Sequence, residues 1–205
     1  MKSFVLTVLC GLLASSAVAV PVEKRNAASS EISAIEHAVY TWRQDTALVS
    51  DFLNKGKNQA FKGQMQFHHA ATATLAAELN ELPQKAVLDK YVPHSQEIET
   101  ANNTLVTEGT FGSVVSFLQQ LTKLNYNTEY MQILEDVNQI DFGTNTVAGR
   151  CEAVLPAIDM YFDAAAKYVQ KLGGGTSLFG VQAIRPYACP TGPYSIGGTY
   201  SKPSQ

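Results

Sequence analysis

The sequence has little of what marks several common protein classes. Of its 205 residues only 16% are charged, and the formal net charge is -3, so the basic patch of a nucleic-acid-binding protein is not expected. Three cysteines are too few for a disulfide-dense scaffold. Alternating polar and apolar patterns are nearly absent, which argues against a β-sheet protein. These absences favour a helical protein that has no nucleic-acid partner.

Motifs for catalysis and metal binding are also missing. The sequence contains no H-E-x-x-H zinc motif, no G-x-S-x-G nucleophile motif and no glycine-rich phosphate loop. No glutamate stands three residues before a histidine, which excludes the Glu-x-x-His pairs of di-iron bundles. The neighbours His68 and His69 point about 100° apart on a helix, so they do not easily share one ion. We therefore predict no catalytic residue, no metal site and no cofactor.

The composition that remains suits one domain. Hydrophobic residues make up 45% of the chain, which is too large a share for wholesale disorder. The polar share is too large for a membrane bundle. The length fits a single domain, and a second is expected only if it is small.

The N-terminus has the pattern of an export signal. Residues 1–19 begin with the single basic residue Lys2, continue as an apolar run and end in Ala17-Val18-Ala19. This is the order of a secretory signal peptide. The alternative is a membrane anchor, but the apolar run is shorter than the roughly 20 residues that a span needs. We predict a secreted, extracellular protein with no transmembrane segment.

Residues 20–25 resemble a short propeptide. They end in Lys24-Arg25, a dibasic pair of the kind cut by kexin-type proteases. Cleavage there would start the mature chain at Asn26, with 12 basic and 17 acidic residues and a net charge of -5. Because such a chain is repelled by anionic membranes, any lipid binding would depend on an apolar pocket or face.

Two cysteines, Cys151 and Cys189, remain after the signal peptide is removed. In an oxidising compartment we expect them to form a disulfide that closes a loop of about 39 residues and contributes roughly 3–4 kcal/mol. The alternatives are two free thiols or, with less support, a metal site. The sequon Asn102-Asn103-Thr104 would place a glycan on Asn102 and mark that segment as surface.

Helical spacing of apolar residues predicts an all-α domain over residues 26–172, an up-and-down bundle of five or six helices. We expect Ser29 or Ser30 to cap the first helix and Pro83 to kink or break the second. Gly173-Gly174-Gly175 should stop the last. The six segments predicted are 29–56, 64–91, 95–106, 110–124, 130–140 and 146–172.

Each helix is expected to turn its apolar stripe towards the core. On the first segment this stripe includes Trp42. On the second it consists of Met65, Ala71, Leu75, Leu79 and Leu82, and continues after Pro83 with Val87, Leu88 and Tyr91. Glu78, Glu81 and Lys85 are predicted to form a solvated face, as are Asp159, Asp163 and Lys167. The alternative for Glu78 and Glu81 is a pair of glycosidase carboxylates.

The C-terminal segment, residues 173–205, differs in composition. It contains seven glycines and four prolines with tyrosines between them, so a regular helix is not expected. A disulfide at Cys189 would tether its first part, and residues beyond about 190 are predicted to be mobile. The choice for this tail lies between plain disorder and a tyrosine-bearing arm that contacts polysaccharide or a partner.

Several stretches resemble fungal secreted helical proteins. Residues 30–35, Ser-Glu-Ile-Ser-Ala-Ile, and 49–54, Val-Ser-Asp-Phe-Leu-Asn, are similar to the opening of the hydrophobic surface-binding protein A family, which includes cell-wall mannoproteins. A broad group of uncharacterised small secreted fungal proteins is resembled by residues 77–82 with 85–89, 103–111 and 150–159. The resemblance implies a helical bundle that adsorbs to hydrophobic surfaces or binds fatty acids. The disulfide and the Gly/Pro-rich tail depart from the surface-binding family.

The resulting hypothesis is a non-enzymatic secreted fungal protein that binds apolar ligands or hydrophobic surfaces through a helical cleft or face. Its candidate partners are a fatty acid or other apolar ligand, the cell wall, or a host protein. The alternative is an effector or elicitor, a virulence factor that acts on a host or neighbouring organism. A hydrolase that uses Glu78 and Glu81 is the third hypothesis.

Overall fold

The computed structural model describes residues 22–57, 60–123, 149–187 and 189. Within these ranges the chain is helical and has no strand, so the predicted all-α class is confirmed. Besides five α-helices, these ranges contain two π-helical turns, Asn103–Thr107 and Arg150–Val154. The helices are α1 (Val22–Lys57), α2 (Gln64–Tyr91), α3 (Gln96–Asn102), α4 (Thr110–Thr122) and α5 (Leu155–Lys171).

Local sequence signals account for two of the helix ends, the start of α3 and the end of α5. The side chain of Ser95 accepts a hydrogen bond from the backbone N–H of Ile98 and so caps α3. Gly173, with φ at 85°, ends α5: its N–H bonds the Gln170 carbonyl, and the N–H of Gly174 bonds the Val169 carbonyl. These two bonds form a Schellman motif, which confirms the predicted glycine stop.

Several predictions concern residues outside the described ranges. These are the signal peptide at residues 1–19, the fifth helical segment at 130–140 and the tail beyond 190. The number of helices in the whole chain therefore stays a prediction. No helix in the described ranges combines the length and apolarity needed to cross a bilayer.

The predicted start of the first helix is wrong. Helix α1 begins at Val22, so Ser29 and Ser30 lie inside it and do not cap it. Ala27 and Ala28 precede the serines and are strong helix formers, which explains why the helix continues N-terminal to them. Lys24 and Arg25 belong to the first turns of α1, and their cleavage stays a prediction.

Pro83 does not break α2, which runs through it without interruption. A proline inside a helix removes the bond to the carbonyl four residues earlier, here that of Leu79. Leu79 and Pro83 are both exposed, so water can bond the freed carbonyl. The position of the proline on the outer side of α2 explains why the helix tolerates it.

One hydrophobic core joins the helices. Trp42 of α1 lies against Tyr161 and Phe162 of α5, with ring centroids 5.6 and 5.7 Å apart. This confirms the predicted core position of Trp42, which is 1% exposed. A second aromatic group, Phe52 with Phe61 and Phe67, packs where α1 leads into α2.

The chain after α5 lies along α1 as an extended strap, residues 174–187. Polar α1 side chains bond its backbone: Tyr40 donates to the Ser177 carbonyl and Ser50 to the Ile184 carbonyl. Thr46 accepts from the Ile184 N–H. The first part of the Gly/Pro-rich segment is therefore tied to the helices, as predicted.

The disulfide between Cys151 and Cys189 is present, with Cα atoms 5.4 Å apart and both residues buried. The disulfide links the π-helical turn before α5 to Cys189, which comes two residues after the strap. The bond closes a 38-residue separation, which removes conformational entropy from the unfolded chain.

We expect the Cys151→Ala/Cys189→Ala variant to lose roughly 3–4 kcal/mol of unfolding free energy, because its unfolded chain is less restricted. Urea denaturation of the variant and the oxidised protein measures the difference. Reducing agent should lower the stability of the native protein and leave that of the variant unchanged. Equal stability of the oxidised protein and the variant would contradict the prediction.

Candidate functional site

Glu78 and Glu81 do not lie on a solvated face. They are 0% and 1% exposed, and both pair with Arg150, which is also fully buried. Nη1 of Arg150 lies 2.8 Å from Oε2 of Glu78, and Nη2 lies 3.2 Å from Oε1 of Glu81. The prediction of an exposed carboxylate pair is wrong because the guanidinium requires buried acceptors.

Trp42 completes this buried cluster. Its indole Nε1 donates to Oε2 of Glu81 at 2.8 Å, so each carboxyl oxygen of Glu81 has one donor. Nε of Arg150 is buried and has no hydrogen-bond partner among the described residues. The cluster is thus polar, nearly saturated and sealed by the surrounding helices.

Burial controls protonation in this cluster. The pKa of Glu81 rises from 4.5 to about 8, first because burial disfavours its charge and then because Glu78 repels it, while Arg150 opposes both effects. Burial also raises the pKa of Glu78, against the attraction of Arg150. Burial therefore favours the protonated form of both carboxyl groups, and Arg150 favours the charged form.

Glycoside hydrolysis at Glu78 and Glu81 has no support in this geometry. A general acid or nucleophile must lie within reach of the sugar, and these carboxyl groups contact only protein donors. Lys85, the third member of the predicted face, is 9% exposed and bonds Asp89 and Asn102 instead.

In the middle of α2, Glu78 and Glu81 face inward and the neighbouring leucines face outward. Met65 is 66% exposed, Leu79 42% and Leu82 45%, contrary to the predicted core positions. Ala71 is buried as predicted, and Leu75 is partly buried against the core. Beyond Pro83, Leu88 is buried and Val87 and Tyr91 pack against the core, as predicted. The predicted core positions are therefore wrong only for Met65, Leu79 and Leu82.

We define the outer face of α2 as the exposed positions between Met65 and Ala86. At 1.5 Å per residue this face is about 33 Å long. None of its side chains is Asp, Glu, Lys or Arg. The exposed residues are Met65, Gln66, His68, His69, Thr72, Ala73, Ala76, Leu79, Asn80, Leu82, Pro83 and Ala86.

A second feature is a polar cleft between the end of α2 and α3. It encloses about 850 Å³, and its lining includes Asp89, His94, Glu99 and Asn102. Asp89 accepts hydrogen bonds from the buried Tyr161 hydroxyl at 2.8 Å and from Nζ of Lys85 at 2.7 Å. Burial raises the pKa of Tyr161, as do its bond to Asp89 and the charge of Asp89.

The other predicted site residues lie apart from one another. His68 and His69 are exposed, and no group of three or more potential metal ligands forms within the described residues. Asp163 and Lys167 are exposed as predicted, whereas Asp159 is half-buried and pairs with Arg185 of the strap. The solvated-face prediction is therefore wrong for Asp159, since the strap covers it.

Asn102 of the sequon is half-buried, and its Oδ1 accepts a hydrogen bond from Nζ of Lys85 at 2.7 Å. A glycan on this residue stays a prediction.

No known family model, curated protein or solved structure matches this chain. The resemblance to the hydrophobic surface-binding family therefore stays a prediction, and function must be argued from the geometry alone.

Proposed function

We propose that this is a secreted, non-enzymatic protein that binds apolar ligands or hydrophobic surfaces through the outer face of α2. The observation that carries the proposal is the arrangement of side chains on α2, which buries Glu78 and Glu81 and exposes Met65, Leu79 and Leu82. We also propose that the whole chain folds as an up-and-down bundle of five or six helices.

The cost of this orientation supports a role for the face. Burying two carboxyl groups and a guanidinium is unfavourable unless they pair, and apolar replacements of similar volume are often as stable. The exposed leucines also lack the stabilising free energy that burial of their side chains would provide. Single exposed leucines are common. Two exposed leucines one turn apart, on a helix side without a charge from Met65 to Ala86, form an apolar patch of the kind found at contact surfaces.

The electrostatics favour apolar contact over charge attraction. The predicted mature chain has a net charge of -5, so it would be repelled by an anionic membrane. The outer face of α2 has no fixed charge, so its contact with a neutral apolar surface leaves no ion desolvated. Fatty acids, other apolar ligands or an apolar cell-wall or host surface are the partners that this chemistry suits.

Adsorption to alkyl-coated beads tests the proposal. We expect the Leu79→Gln/Leu82→Gln variant to bind about tenfold more weakly than the native protein, because it loses much of the apolar area available for contact. The same variant should show less fluorescence enhancement with anilinonaphthalene sulfonate. Depletion of protein from solution gives the affinity.

Leu48→Gln is the matched control. Leu48 is 54% exposed but lies on α1, away from the outer face of α2. The Leu48→Gln variant should adsorb like the native protein. Circular dichroism should show unchanged helix content in this variant and in Leu79→Gln/Leu82→Gln. Equal adsorption by the Leu79→Gln/Leu82→Gln variant, or an equal loss in Leu48→Gln, would overturn the proposal.

A further inference from the structure

The cleft between α2 and α3 is built from side chains held in place by buried partners. Oδ1 of Asp89 bonds Tyr161, which is fully buried, and Oδ2 bonds Lys85, which is 9% exposed. Nζ of Lys85 also bonds Oδ1 of Asn102 and lies 5.2 Å from the centroid of the Tyr161 ring. Two lining residues, Asp89 and Asn102, are thereby fixed before any ligand binds.

The lining of the cleft selects a class of ligand. Its volume of about 850 Å³ falls within the range of small-molecule sites, roughly 300–1,000 Å³. Ile98 is its one apolar side chain among carboxylates, amides, a hydroxyl and an imidazole, so an apolar ligand would leave polar groups without partners. Asp89 and Glu99 disfavour an anion, and the positive charge of Lys85 is already paired with Asp89.

We propose that this cleft binds a neutral carbohydrate. Sugar hydroxyls both donate and accept hydrogen bonds, which matches the mixture of carboxylate, amide and imidazole groups in the lining. Gln96, Glu99 and Asn103 lie on the exposed side of the cleft and complete the set of polar partners. The inference is independent of the outer face of α2.

The sugar has two candidate sources. One is a free saccharide. The other is the chain itself, because Asn102 both begins the N-x-T sequon and lines the cleft. A glycan attached there would begin inside the cleft, where Asp89 and Glu99 can bond its first sugars.

The first arm of the test uses the mature chain made without glycans. It is titrated by calorimetry with N,N′-diacetylchitobiose, mannobiose and cellobiose. We expect saturable binding of at least one disaccharide with a Kd on the order of 1 mM or tighter. Glu99→Gln and Asn103→Ala should each weaken that binding about fivefold or more, since each removes an exposed polar partner.

Glu97→Gln is the control for this arm. Glu97 is exposed on α3 two residues from Glu99, but it pairs with Lys167 of α5 and does not line the cleft. The Glu97→Gln variant should bind the disaccharide with the same Kd as the unsubstituted protein. Absence of binding for all three disaccharides, or an equal effect of Glu97→Gln and Glu99→Gln, would overturn the proposal.

The second arm distinguishes the sources with protein secreted from a fungal host. If the sugar is the chain's own, Asn102 is glycosylated, the cleft no longer binds the free disaccharide, and endoglycosidase releases the glycan only after denaturation. If the sugar is a free saccharide, Asn102 is unmodified and the titration repeats that of the first arm. A glycan on Asn102 that is released equally fast from folded and denatured protein would contradict the proposal.

Discussion

Replacing Arg150 with methionine should lower the unfolding free energy by about 3–5 kcal/mol. The substitution keeps most of the side-chain volume but leaves Glu78 and Glu81 buried without a cation. Urea denaturation at pH 8 measures the loss. At pH 5 the loss should be smaller, because protonation neutralises the carboxyl groups that Arg150 no longer compensates.

Two further variants test whether pairing is the cause. Arg43 is exposed and bonds the Gln182 carbonyl through Nε, so Arg43→Met should cost less than about 1 kcal/mol. The double variant Glu78→Met/Arg150→Met removes both charges and should recover most of the stability lost in Arg150→Met. A loss below about 1 kcal/mol in Arg150→Met itself would show that the buried pairing contributes little.

The protein should be more stable at pH 5 than at pH 9, by on the order of 4 kcal/mol. The pKa of Glu81 is about 8 in the folded protein and near 4.5 in the unfolded chain. Between pH 4.5 and pH 8, Glu81 keeps its proton in the folded protein and has lost it in the unfolded chain. The stabilisation is therefore complete below pH 4.5 and is lost as the pH rises through 8.

Other carboxyl groups act in the same direction. Burial raises the pKa values of Glu78, Asp45, Asp159 and Asp163, so each binds its proton more tightly in the folded protein. The hydrogen bond from Asn80 opposes this effect at Asp45, and Arg185 opposes it at Asp159. The direction of each shift is the same as that of Glu81, towards greater stability at lower pH.

Thermal unfolding between pH 5 and pH 9 measures this dependence. Glu81→Gln removes the titrating group, so its stability should vary much less over the same interval. Glu36→Gln is the control, because Glu36 bonds Ser177 at the surface, and this variant should keep the native slope. A stability that rises from pH 5 to pH 9 would falsify the assignment.

Local sequence signals predicted several features of the fold that the structure confirms. The bounds of α2 agree with its spacing and with the breaks on either side. Gly173 supplies the positive φ that ends α5. These features depend on neighbours within a few residues, so the sequence alone contains the necessary information.

No local sequence signal predicted the polar cleft between α2 and α3. Two of its lining residues, Asp89 of α2 and Asn102 of α3, are held from behind by Lys85 of α2 and, for Asp89, by Tyr161 of α5. Only the i,i+4 pair of Lys85 and Asp89 is visible in the sequence. The other two partners come from helices that pack beside α2, so their contribution depends on the tertiary arrangement.

The sequence by itself determined that this chain is helical, that Trp42 belongs to its core and that Cys151 pairs with Cys189. Only the tertiary structure decided which side of α2 faces inward. That helix has an apolar stripe and a charged stripe, and local periodicity does not say which one the core accepts. Arg150, 69 residues beyond Glu81, supplies the buried positive charge that draws the charged stripe inward. The leucines that face outward as a result are the basis of the proposed function.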